Sequence, residues 1–139
     1  MEEIDISRYV LSGAGANGES YDCIDDDSIM LKLYNAGYPV QPVIDELEIA
    51  KKVYAIGVPS PEPGELVRCG GRMGIRFRKI RGKRSFSRAI ADEPDRVEEY
   101  ARDFARQCLK AHSIHVDTSV FRSVKDHYLE MLEANPYFT

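Results

Sequence analysis

The chain has 139 residues, 43% of them hydrophobic and 30% charged, with a formal net charge of −4. That balance excludes a disordered or fibrous protein, and the length suits one ordinary domain or one small lobe plus part of a second. No apolar run reaches the length of a membrane-spanning helix and the start Met1-Glu2-Glu3 is the opposite of a basic signal peptide, so a cytoplasmic location is expected.

In chain order, Arg8-Tyr9-Val10-Leu11 is a short β-prone run leading into the glycine-rich segment Ser12-Gly13-Ala14-Gly15-Ala16-Asn17-Gly18-Glu19. Ser20 to Ile24 is a second strand, Asp25-Asp26-Asp27 a turn, and Ser28 to Tyr34 a third strand. From Val40 to Ile56 the apolar positions Val43, Leu47, Ala50, Val53 and Tyr54 recur at helical spacing. Gly57 stands where a C-cap belongs, and Pro59, Pro61 and Pro63 forbid continuation. Glu65 to Cys69 and Met73 to Ile80 are two more strands around a Gly70-Gly71 turn.

Beyond Gly82 the pattern is helical only. Ser85 to Ala91 predicts a short helix, and Asp92-Glu93-Pro94 is a helix-start signal. A continuous stripe then runs through Val97, Tyr100, Ala101, Phe104, Ala105, Cys108 and Leu109. A second stripe, Phe121, Val124, Tyr128, Met131 and Leu132, ends at Asn135-Pro136. The expectation is an α+β fold in two parts: residues 1–80 with a five-stranded antiparallel sheet and one helix, and residues 81–139 made of helices.

Charge is unevenly spread, because residues 1–65 carry 4 Lys/Arg against 13 Asp/Glu while residues 66–139 carry 15 against 10. Nine basic residues and no acidic one lie between Arg68 and Arg88. Without interleaved exposed aromatics for base stacking, this stretch reads as a solvated strand face and loop rather than a nucleic-acid surface. Cys23, Cys69 and Cys108 are widely spaced and read as reduced, mostly buried thiols. Cys108, His112 and His115 fall at i, i+4 and i+7, a spacing that can gather zinc, but histidines at a helix end are ordinary, so no metal is expected.

Gly13-x-Gly15-x-x-Gly18 matches GxGxxG, which several nucleotide-binding designs share. A dinucleotide fold requires a helix straight after the glycines, and Glu19 to Ile24 runs instead into three aspartates. A P-loop requires G-K-[ST], and Gly18-Glu19-Ser20 lacks the lysine. Kinase-type sites use a glycine hairpin over the phosphates and a lysine from the third strand. That strand supplies Lys32, which pleating puts on one face with Met30 and Tyr34 while Ile29, Leu31 and Leu33 take the other. An ammonium there needs an anionic partner. On the following helix Glu46 borders the apolar side, whereas Glu48 faces water and is placed to pair with Lys52 at i, i+4.

With these features, the exit Val58-Pro59-Ser60-Pro61 and the strand Gly74 to Ile80 running into Arg81-Gly82, the chain resembles the aminoglycoside phosphotransferase and choline kinase families over most of residues 8–135. The resemblance implies a protein-kinase-like N-lobe with a glycine-rich loop in residues 1–80, and the helical start of an incomplete C-lobe in residues 81–139. It implies ATP as ligand, with magnesium in a complete enzyme, and nucleotide contacts at Gly13, Gly15, Asn17, Gly18, Lys32, Glu46, Arg78 and Ile80. The carbonyl of Arg78 and the amide of Ile80 would face the adenine between walls formed by Leu11 and Ile80. The family's catalytic aspartate in an H-G-D setting, its asparagine and its metal-binding aspartate have no counterpart, since Asp117 and Asp126 are the only aspartates after His115. The expectation is therefore the ATP-binding portion of a small-molecule phosphotransferase, inactive by itself. The alternative is a non-catalytic module that associates with itself or a partner through uncovered helices, and a homodimer is consistent with either.

Overall fold

The computed structural model describes residues 1–82, 84–117 and 119–137. The fold is α+β, with strands β1 (Glu2–Glu3), β2 (Tyr9–Gly15), β3 (Gly18–Cys23), β4 (Ile29–Tyr34), β5 (Pro63–Cys69) and β6 (Arg72–Arg78). Helix α1 (Val40–Ala55) interrupts the strands, and α2 (Phe86–Asp92), α3 (Val97–His112) and α4 (Val124–Glu133) follow them.

The strands form one sheet in the order β1-β5-β6-β4-β3-β2. The expected five antiparallel strands become six in a mixed sheet, because β1 pairs parallel with β5, Glu2 opposite Val67 and Glu3 opposite Arg68. A two-residue strand of glutamates has no hydrophobic period to betray it. Tertiary bonds hold it: Arg76 reaches both Glu2 carboxylate oxygens at 2.7 and 2.9 Å, and the Gly70 amide donates to Glu3 Oε1 at 3.0 Å. Ile4 follows, buried, its amide donating to the Arg68 carbonyl at 2.8 Å.

Alternation along β4 divides the core between two faces. Leu31 and Leu33 join Ile4, Val67 and Cys69 on one side, while Tyr34 joins Met73, Ile75 and the helix residues Val43 and Leu47 on the other. Each of these fully buried aliphatic side chains stabilises by about 1.5–3 kcal/mol. The first of these faces closes tightly over Gly74, where a Cβ would lie 3.0 Å from Leu31 Cδ1 and 3.2 Å from Val67 Cγ2.

Turn chemistry sets the connections. Gly70 and Gly71 both have positive φ, the backbone that a tight two-residue hairpin between right-twisted strands requires. Gly57, at φ 82°, closes α1: its amide bonds the Tyr54 carbonyl at 3.0 Å and the Val58 amide bonds that of Val53 at 3.3 Å, the pairing of a Schellman cap. At the other end, Tyr38 donates its amide to the Asn35 carbonyl at 3.1 Å and stacks on Tyr34 with ring centroids 5.1 Å apart. Helix α1 is thereby tied to the end of β4. The expected apolar stripe of α1 stops short, since Val43 and Leu47 are buried but Tyr54 is exposed.

After β6, Ser85 caps α2 by accepting from the Arg88 amide, and α2 touches α3 through Phe86 and Phe104, centroids 5.4 Å apart. Among the described residues, neither α3 nor α4 buries any residue, so their apolar stripes are exposed. No helix among the described residues is long and apolar enough to cross a membrane.

Candidate functional site

The glycine-rich segment is strand rather than loop. Strands β2 and β3 extend through it until Gly15 pairs with Gly18, leaving only Ala16 and Asn17 as the turn. Among the described residues every non-glycine has negative φ, so this turn lacks the left-handed backbone preferred by two-residue hairpins. Asn35 braces it from the end of β4: its amide donates to the Asn17 carbonyl at 3.0 Å and its Nδ2 to the Ala16 carbonyl at 2.9 Å.

The three motif glycines have different reasons to be glycine. A Cβ on Gly18 would fall 2.3 Å from the Leu33 carbonyl oxygen and 2.9 Å from Tyr34 Cα, so this position is dictated by the approach of β3 to β4. A Cβ on Gly13 would meet nothing nearer than Ser20 Cβ at 4.0 Å, and one on Gly15 nothing nearer than the Gly18 carbonyl at 3.7 Å. Neither Gly13 nor Gly15 has positive φ. The fold alone does not require glycine at these two positions.

Beneath the hairpin lies Lys32. Its Nζ donates to Glu46 Oε1 at 2.5 Å, joining β4 to α1. Glu46 thus holds the place the helical geometry gave it, and Glu48 pairs with Lys51 at 3.1 Å rather than with Lys52. The Lys32 ammonium also lies 4.7 Å from the centre of the Tyr34 ring. Gly13, Gly15, Asn17, Gly18 and Lys32 together line one concavity of about 380 Å³, with Glu46 reached through the ion pair.

A second concavity adjoins it, sharing Gly13 and Ser20 and continuing over Ser12, Asp22, Met30, Lys79 and Ile80. Here Lys79 Nζ donates to Asp22 Oδ2 at 2.6 Å, fastening the segment after β6 to β3. Among the described residues the Ile80 amide has no acceptor. Leu11 lines neither concavity. The Arg78 side chain lies in a groove with Asp26, Ser28 and Glu62, bonding Glu62 Oε2 at 3.1 Å. In that groove Arg76 pairs with Glu65 and Arg78 with Glu62, while the Asp26 carboxylate accepts from the Ser28 amide and hydroxyl.

The basic stretch is largely neutralised. Arg72 pairs with Glu19, Arg76 with Glu2 and Glu65, Arg81 with Asp27, Arg84 with Glu93, and Arg88 with Asp92. Lys83 lies outside the described residues. No group of three His, Cys, Asp or Glu side chains among the described residues has metal-holding geometry, the Cys108, His112 and His115 set included. Asp117 is engaged in a turn, its carboxylate accepting from the Ser119 amide at 2.8 Å, and that bond holds it below the usual carboxylate range. Asp126 sits in the first turn of α4, its amide bonded to the capping Ser123.

The two-residue period placed Tyr34 on the face of Lys32 but gave it no role, and sequence reasoning missed Asn35 and the Asp22–Lys79 pair. Asn35 and Asp22 act across elements and leave no local pattern. A scan against protein-family models gives no match, and a search of curated proteins gives no significant relative.

Proposed function

We propose that these residues form a nucleotide-binding unit of kinase-like design, the ATP-binding portion of a small-molecule phosphotransferase. The observation that carries this reading is the Lys32–Glu46 pair at 2.5 Å, lodged under a glycine hairpin. Lys32 would meet the α- and β-phosphates, Glu46 would hold Lys32, and the backbone around Gly13 and Gly15, where no side chain intervenes, would cover the phosphates. The purine would extend into the adjoining concavity toward the unpartnered Ile80 amide.

Magnesium does not fit the protein groups present. The carboxylates nearest the two concavities, Glu46, Asp22 and Glu19, already serve Lys32, Lys79 and Arg72. The ion would arrive with the nucleotide, and the aspartates that perform phosphoryl transfer in such enzymes are not among the 139 residues. The activity proposed for this chain is binding, not transfer.

Calorimetry with Mg-ATP on the chain and on Lys32→Ala tests the reading. Loss of a charge-assisted hydrogen bond worth about 1.5–3 kcal/mol predicts affinity at least tenfold weaker in the variant. Equal affinity, or no binding by either protein, overturns it. A second reading, a non-catalytic module that associates with itself, is favoured by the exposed stripes of α3 and α4.

A further inference from the structure

Tyr34 is among the most buried side chains of the protein, at 1% exposure, with its ring between Lys32 and Tyr38. Its hydroxyl is buried and has no hydrogen-bond partner. A core that needed only the ring would be served better by phenylalanine, because a buried hydroxyl without a partner forfeits its hydration for nothing. The group lies close enough to the Glu46 carboxylate that this charge, after burial itself, pushes the phenol well above its ordinary value. Glu46 meanwhile is held at Oε1 alone by Lys32, on a side chain 41% exposed.

We infer that Tyr34 is a positioning residue for the Lys32–Glu46 pair: its otherwise unpartnered phenol is the donor that can turn to the second oxygen of Glu46 and stop the carboxylate from swinging to solvent, while its ring face supports the ammonium. A carboxylate gripped at both oxygens by two neighbouring residues of one strand has little rotational freedom. Lys32 has three donors and spends one on Glu46, so it keeps Glu46 while the others remain for an incoming anion. The link to ligand binding rests on the nucleotide reading above. The positioning itself does not.

The experiment uses the full chain as wild type, Tyr34→Phe, Glu46→Gln and the double variant. The rate at which an acetylating reagent modifies Lys32 is read by peptide mass spectrometry over a series of pH values without nucleotide, beside thermal melts and Mg-ATP calorimetry. The expected result is a Tyr34→Phe protein that melts no lower than wild type yet labels at Lys32 several-fold faster, its pH profile moved toward that of Glu46→Gln. The double variant should label no faster than Glu46→Gln alone, which is the signature of two residues acting through one interaction. If Tyr34→Phe labels like wild type, or the two effects simply multiply, the positioning role is overturned. If Tyr34→Phe fails to fold, the ring resonances of Tyr34 in Glu46→Gln replace it: a shift supports the contact, and an unchanged spectrum overturns it. Wild type that binds no Mg-ATP while Tyr34→Phe still accelerates labelling removes the nucleotide reading and leaves Tyr34's role standing.

Discussion

Gly15 and Gly18 carry the same letter in one motif and answer to different forces. Replacing Gly18 by alanine drives a methyl to 2.3 Å from the Leu33 carbonyl, and the backbone cannot yield without parting β3 from β4. Gly18→Ala should lose about 1–3 kcal/mol in urea unfolding, as overpacked sites do. Gly15→Ala puts its methyl 3.7 Å from the nearest atom, at ordinary contact, on a backbone any residue adopts. It should unfold like wild type within a few tenths of a kcal/mol and bind Mg-ATP more weakly, because the new methyl stands where phosphate oxygens would approach the amides. Weak binding together with lost stability in Gly15→Ala would return that glycine to the fold. The sequence made both glycines visible but could not separate them, since the difference lies in which strand passes behind each.

At the scale of elements, the turns and caps were legible and the braces were not. Gly57 and the Gly70-Gly71 pair announce their structures because positive φ is a local demand that few other residues meet. The glycine segment reads as a hairpin and β2 and β3 form one, but its brace is invisible locally: Asn35, just after β4, supplies what the Ala16-Asn17 turn lacks. Asn35→Ala should therefore leave the sheet intact while hydrogen exchange at residues 15–18 accelerates, and unchanged exchange there would dismiss the brace. The junction between α2 and α3 makes a pH prediction. Glu93, ordinarily near 4.5, is held at about 2 by the Arg84 guanidinium first and then by Arg96 and the Tyr100 hydroxyl. A carboxylate so depressed contributes stability above its unfolded value, and that contribution disappears as pH falls from about 4.5 toward about 2. The melting temperature should fall through that window, and Glu93→Gln should show a smaller fall. Both bonds are solvent-exposed, so the effect should shrink in high salt.

For the whole molecule, the sequence located the helical stripes except at Phe121, which precedes α4, and could not say what covers them, because the pattern of a helix records only that one face avoids water. Leu109 is 69% exposed, Val124 70% and Tyr128 60%, on helices that bury nothing among the described residues. Several large apolar groups exposed on two successive helices exceed the scattered exposure usual on a monomer. If a second copy covers them, sedimentation velocity should show a dimer whose proportion rises with concentration. Leu109→Glu with Tyr128→Glu should shift it to monomer without lowering the melting temperature of the sheet-bearing part, since neither side chain belongs to either core cluster. The salt response adds a second criterion: an apolar interface strengthens in sulfate, whereas one made by the surface charges of α3 weakens. A monomer at every concentration would remove self-association as a use for these faces and leave the nucleotide site as the only activity still proposed for the chain.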